Sequence, residues 1–163
     1  MQIALNEAEQ RLAKFLARSR FEAARKRGIA NAKIGPQSNE QTDLEGIGAE
    51  IAFCKMFNVY PDLEVGHTPA EDAVLPSGVA VDIKSTKHPR GHLLAAKWKK
   101  PNVSAYVLLI GEFPRYRFAG MMPCEELLRT ERLKNFGHGE GYAAKQEELL
   151  SMEQLQQQAE YTW

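Results

Sequence analysis

Glu50, Asp72, Asp82 and Lys84 are the residues of this chain whose types and spacing could do chemistry together. The stretch from Glu71 to Lys84 reads as two short β-strands joined by a turn. Ala73-Val74-Leu75 forms the first arm, Pro76-Ser77-Gly78 the turn and Val79 to Lys84 the second arm. Side chains alternate faces along a strand, so Val79, Val81 and Ile83 share one side while Ala80, Asp82 and Lys84 share the other. The antiparallel return brings Asp72 alongside them. Buried charge is costly unless it is paired or binds a metal. Taken alone, Asp82-Ile83-Lys84 is a common kind of tripeptide and reads as an ion pair on an edge strand. A second carboxylate on the neighbouring strand, Asp72, and a third from a preceding helix, Glu50, move the reading towards a site. The residues themselves show three acids and a lysine that one hairpin and one helix can bring together.

Glu50 on a helix, then Asp72, then Asp82-Ile83-Lys84 resembles the PD-(D/E)XK nuclease superfamily in its small phage-type form, over roughly residues 42–122. One departure is that Glu71 stands where the name-giving pattern has proline. Glu71 and Asp72 thus both remain open as the first acid, and the order acid, hydrophobic run, turn, hydrophobic run, acid favours Asp72. The resemblance implies an α/β (α+β) fold with a restriction-endonuclease-like core, a central mixed sheet of about four strands flanked by helices. It implies a Mg²⁺-dependent deoxyribonuclease, acting as an endonuclease or an exonuclease, in which Mn²⁺ can substitute. The metal falls to Asp72, Asp82 and the backbone carbonyl of Ile83, with Glu50 binding a second ion or positioning a water. Lys84 would orient the attacking water or stabilise the transition state. Ser85 and Lys87, just past the strand, are placed to touch the phosphate backbone. Replacing Asp82 is expected to remove the metal and to relieve repulsion among the acids. Many relatives that cut duplexes are dimers, so a homodimer is compatible with the resemblance. The competing class is a non-catalytic nucleic-acid-binding module or inhibitor protein on the same fold. A structural subunit assembling through the basic first helix is a third.

At 163 residues the chain suits one domain with a real core. That domain divides into a basic N-terminal helix within residues 1–34, a catalytic core over 42–122 and C-terminal helices over 123–163. Formal net charge is zero, which gives no global pull towards nucleic acid. The neutral total hides zones. Residues 35–83 hold nine acids and one basic residue, and residues 84–100 hold six basic residues and no acid. A carboxylate-rich segment followed at once by a cationic one suits a metal site that also holds polyphosphate. Cys54 and Cys124 read as small core residues of a reduced protein, and two cysteines exclude a four-cysteine metal site. No secretory signal is visible, and no apolar run approaches the roughly 20 residues that span a bilayer. The expected setting is the cytoplasm, that of a bacterial host if the protein is phage-encoded, with DNA as partner and no membrane.

The positioning elements follow from local signals. Asn6 with Glu9 three residues on caps a helix running to about Arg27, with Leu5, Leu12, Phe15, Leu16 and Ala23 as apolar stripe. Arg11, Lys14, Arg18 and Arg25 line another face. Residues 29–41 read as a loop. Thr42-Asp43-Leu44-Glu45 predicts a capping box opening a second helix to Asn58, with Leu44, Ile47, Ile51 and Cys54 inward and Glu50 beside them. Gly46 and Gly48 keep that helix thin, which predicts a close approach by the sheet or by a nucleic-acid backbone. Residues 60–70 are irregular and are expected over the mouth of the site. His88 and His92 are separated by Pro89 and Gly91, which disfavour a metal-binding helix turn. Lys97-Trp98-Lys99-Lys100 combines cations with a ring, suited to phosphate contact and base stacking. Residues 105–111 are nearly all apolar and predict a strand buried on both faces, with 115–120 as its return. A third helix is expected from Pro123, with Leu127, Leu128 and Leu133 inward, followed by a flexible Gly137–Gly141 connector. Ser151-x-x-Gln154 caps a final helix.

Overall fold

A period of two over residues 79–84 and an apolar run over 105–111 call for strands packed between layers. The computed structural model, which describes residues 1–28, 39–66, 69–137 and 139–160, arranges them as a mixed α+β fold. In chain order the elements are β1 (Gln2–Ala4), α1 (Glu7–Lys26), α2 (Asn39–Phe57), β2 (Ala73–Val74), β3 (Ala80–Thr86) and β4 (Leu93–Ala96). They continue with β5 (Ala105–Glu112), β6 (Arg115–Pro123), α3 (Cys124–Leu127), β7 (Leu133–Asn135), β8 (Glu140–Ala144) and α4 (Met152–Glu160).

The main sheet is mixed and five-stranded, in the order β1-β6-β5-β3-β2, and is flanked by helices. Only the β3–β5 pair is parallel. Four of these strands match the expected number; the fifth is β1, three residues that pair with Arg115–Arg117 of β6. So short a segment carries no alternation of its own, and its partner makes it a strand. The expected hairpin forms with Ala73 opposite Val81 and Val74 opposite Ala80. Leu75 N–H donates to the Val79 carbonyl, and Gly78 turns the chain at φ +85°, a conformation glycine adopts without strain.

Residues 105–110 of β5 are all buried, and their alternation feeds two cores. Val107 and Leu109 join Val81 and Ile83 of β3 in a core closed by Ile47, Ile51, Phe53 and Cys54 of α2 and by Ala13, Leu16 and Ala17 of α1. Tyr106, Leu108 and Ile110 face the other core, with Leu93 and Ala95 of β4, Leu127 of α3 and Ala144 of β8. Full burial of a large apolar side chain stabilises by about 1.5–3 kcal/mol. A strand with such residues on both faces is therefore the most firmly held element, and it fixes β3 beside it.

The second core is roofed by an antiparallel sheet, β4-β8-β7, which the sequence did not predict. This corrects the expectation of a helix from Pro123 onward, while the final helix, α4, forms as expected. α3 has only four residues, 3₁₀ turns cover Thr130–Arg132 and Gln146–Glu148, and Leu133 opens a strand. Gly137 and Gly139, at φ +84° and +122°, shape the link between β7 and β8, so the glycine-rich stretch is a hairpin connection. His138 within it lies outside the described residues, as do 29–38, 67–68 and 161–163.

α1 follows its local signals. Asn6 accepts from the Glu9 N–H and the Glu9 carboxylate accepts from the Asn6 N–H, a reciprocal cap. Phe15 does not join the stripe; it is 66% exposed, because Ala13, Leu16 and Ala17 define the buried face. Arg11 and Arg18 pair with Glu7 and Glu22 one turn away, as on a solvated face.

α2 begins three residues before the predicted Thr42. Glu45 is thus well inside the helix, and its carboxylate accepts instead from the Phe113 N–H (2.9 Å) and the Tyr116 hydroxyl (3.1 Å) of the β5–β6 corner. Gly48 explains the thin helix surface. A Cβ there would lie 2.5 Å from the Tyr116 hydroxyl oxygen and 2.7 Å from Phe113 Cδ2, so it is the sheet that approaches. Among the described residues nothing lies within 4 Å of a Cβ placed on Gly46. Glu45 and Gly48 together seat α2 on β6 and so set where Glu50, half a turn later, can reach. At the far end Asn58 takes φ +53° and the Val59 N–H returns to the Cys54 carbonyl, closing the helix.

Candidate active site

β3 supplies the centre of the site by simple alternation. Val81 and Ile83 point into the core under α2, so Asp82 and Lys84 point to the opposite face, where Asp82 lies beside Tyr106 of β5. Asp82 is 3% exposed, the only buried charged side chain among the described residues. Its Oδ2 accepts from Lys99 Nζ at 2.8 Å, and its Oδ1 is ion-paired with the Lys84 ammonium. Burying that carboxylate is tolerable because two cations share it.

Asp72 stands one residue before β2. Its own N–H donates to the Val81 carbonyl, which extends the β2–β3 ladder by one step. One step further the ladder is completed by a side chain, Asp72 Oδ2 accepting from the Ile83 N–H at 2.6 Å. The N–H and C=O of one residue leave a strand on the same side, so the Ile83 carbonyl leaves β3 on the side that carries Asp72. Burial first, then the Asp82 charge, push the Asp72 carboxyl up to about 6 against the pull of the Ile83 N–H, Lys84 and Lys99. Asp72 rather than Glu71 is the acid that reaches β3.

Glu50 approaches from the other side of the sheet. Arg20 of α1 holds it at 3.2 Å while also donating to the carbonyls of Asp62 (2.8 Å) and Glu64 (3.0 Å). Burial and the neighbouring Asp72 charge raise the Glu50 carboxyl to about 8 despite that arginine. The same acids and burial lift the Cys54 thiol to about 12, so it stays an un-ionised core residue. The sequence did not single out Arg20, and nothing in its spacing marks it. The irregular segment after α2 is pinned through Asp62 and Glu64 to Arg20, and through Gly66 to Arg27.

The acids therefore form a line across the edge of β3, with Glu50 on the helix side, Asp82 and Lys84 on the far face, and Asp72 between them. Among the described residues no three His, Cys, Asp or Glu side chains come close enough to share one ion. The structure thus brings Asp72 and Asp82 to the two sides of Ile83 but does not gather Glu50 into the same ligand set. The donor chemistry that remains fits Mg²⁺, two carboxylates and the Ile83 carbonyl being hard oxygen ligands of the kind it takes.

No family model matches this chain, and no curated protein matches it.

The candidate nucleic-acid residues separate into two groups. Ser85 is partly buried at the end of β3 and Lys87 is exposed just beyond it. Lys97, Trp98 and Lys100 are exposed on the link from β4 to β5, with Lys97 ion-paired to Glu140. Lys99, expected to grip substrate further out, instead turns inward and reaches Asp82. A polar cleft of about 950 Å³ lined by residues such as Arg129, Arg132, Lys134 and Glu148 contains none of these groups. No helix among the described residues is long and apolar enough to cross a membrane.

Proposed function

We propose that this protein is a metal-dependent nuclease hydrolysing DNA phosphodiester bonds, with a restriction-endonuclease-like core. The observation that carries the reading is the buried Asp82, shared by Lys84 and Lys99 and set one residue from the Ile83 amide that Asp72 holds. Asp72, Asp82 and the Ile83 carbonyl would hold Mg²⁺, or Mn²⁺ in its place. When bound, the ion supplies charge neutralisation at the scissile phosphate and acidifies a water. Lys84, about one third exposed at its side chain, orients the attacking water and meets the growing negative charge on the phosphate. Lys99 holds the Asp82 carboxylate in place. Glu50, across the strand edge, is placed to hold a proton or a second cation next to Asp72. Ser85, Lys87 and Lys100 line the approach of the phosphate backbone. The same reading gives the protein DNA as partner and the cytoplasm as its place of action, in a bacterial host if phage-encoded, and it accommodates a homodimer.

One observation favours a second reading, a non-catalytic nucleic-acid-binding or inhibitor module: both Asp82 oxygens face lysines, as in a structural ion pair. The two are separated by incubating supercoiled plasmid and end-labelled linear and branched DNA with Mg²⁺, Mn²⁺ or EDTA, beside Lys84→Ala. The nuclease gives metal-dependent cleavage that Lys84→Ala lowers by about 10²–10³-fold. Absence of cleavage on every DNA, with binding kept in both proteins, would move the assignment to the binding module.

A further inference from the structure

β4 ends at Ala96, and the Lys99 N–H returns to the Ala96 carbonyl at 3.0 Å, closing a tight turn. Lys97 and Trp98 occupy the two central positions of that turn and are pushed outward. Trp98 is 68% exposed, while Lys99, the next residue, is folded in. Its ammonium lies 5.6 Å from the indole centroid and 2.8 Å from Asp82 Oδ2. The ring and the buried acid of the candidate site thus share one neighbour. An exposed indole is costly to leave in water and gains most by covering its face. The Lys99 ammonium beside it, with Lys84 sharing the same Asp82 and exposed Lys100 next in sequence, favours an anionic occupant.

We propose that Trp98 is a stacking platform for an unpaired nucleotide next to the scissile phosphate, so that the substrate is DNA carrying single-stranded or frayed bases. This deepens the nuclease reading and rests on it for the position of the phosphate. Within a duplex both faces of each base are covered by its neighbours, so an indole fixed on a tight turn can stack only on a base that has left the helix or sits at an open end. Lys99 fixes the platform's distance from Asp82, and Lys100 on the same link meets the phosphate that follows. Stacking of this kind is tolerant of base identity, because every base has a π-face.

The test follows Trp98 fluorescence in EDTA, with Trp163, the other tryptophan of the chain, replaced by Phe. A short oligothymidylate should quench the indole, and a relaxed covalently closed circular duplex at the same nucleotide concentration, which has neither open ends nor loops, should not. Trp98→Ala should bind the single strand about five- to 150-fold more weakly, while Trp98→Phe keeps most of the affinity. Unchanged single-strand affinity in Trp98→Ala, or equal quenching by the duplex, would overturn the platform. Cleavage assays on the same proteins with Mg²⁺ separate the two ideas. Quenching retained without cleavage of any DNA leaves the platform standing and removes the nuclease, whereas cleavage without quenching does the reverse.

Discussion

On the two sides of β3 the chain treats its carboxylates differently, Asp82 being buried and Glu50 partly so. Asp82 receives two ammonium groups, from Lys84 and Lys99. Glu50 receives one guanidinium, and Arg20 divides its donors between that carboxylate and the carbonyls of Asp62 and Glu64. Asp72, lying between, adds a like charge to the Glu50 side. The outcome is that Glu50 is pushed up to about 8 and carries a proton through much of the neutral range. One face of the strand edge is closed in charge; the other is short of a cation and holds a proton in its place. A divalent ion entering beside Asp72 would relieve that shortage, which is how a pair of faces with unequal charge can make metal entry favourable.

The largest effect expected from breaking this contrast is that of Asp82→Ala. It should abolish cleavage and leave both lysines without their acid, lowering stability by about 2 kcal/mol. The sequence by itself predicted the opposite sign for stability, from relief of repulsion among acids. The two lysines facing Asp82 lead to the reverse expectation. Thermal melting beside the wild type decides: a Tm at or above the wild-type value would mean that the lysines contribute nothing net.

Seating of α2 comes next. Gly48→Ala would drive a Cβ against Tyr116 and Phe113 and should cost about 1–3 kcal/mol. Gly46→Ala, which meets no described residue, should gain up to about 1 kcal/mol from helix propensity. Urea unfolding of both measures the difference, and similar midpoints for the two would contradict the close approach of the sheet.

Glu50→Gln sharpens the comparison through pH. Native Glu50 binds its proton more tightly than the unfolded chain does, so its contribution is full below about 4.5 and is lost as pH rises through about 8. Asp72 acts with the same sign between 3.8 and about 6. In EDTA the wild type should therefore lose more Tm than Glu50→Gln between pH 5 and pH 8.5. The scale is about 2–4 °C for each kcal/mol at this chain length. Parallel pH curves for the two proteins would show that Glu50 titrates as an ordinary acid. With a cation taking the proton's place beside Asp72, Mg²⁺ should raise the wild-type Tm most at the alkaline end, where the proton has left.

Much of the framework was legible because it rests on short-range rules. The Asn6–Glu9 cap, the reciprocal Ser151–Gln154 cap, the Ala73–Lys84 hairpin and the doubly buried β5 all involve contacts within a few residues or a period of two. The same rules misread the region after Pro123. There the leucines fit a helical spacing equally well, and pairing between β7, β8 and β4 won by satisfying backbone groups over the second core. Glu45 fitted a capping box until an unpaired Phe113 N–H on the β5–β6 corner offered it a better partner.

For the site, the sequence determined the residue types and which of them share a face of β3, because alternation along a strand is local. It put Asp82 with Lys84 and brought Asp72 alongside. Only the tertiary structure decided that Lys99, seventeen residues on, completes the Asp82 pair, and that Arg20, thirty residues before Glu50, holds that acid. It also set Glu50 and Asp82 on opposite sides of the sheet. Long side chains such as Lys and Arg meet whatever acid the packed backbone brings within reach, and buried acids take the charge state that those neighbours and the lost water impose. Neither is written in the spacing of residues along the chain.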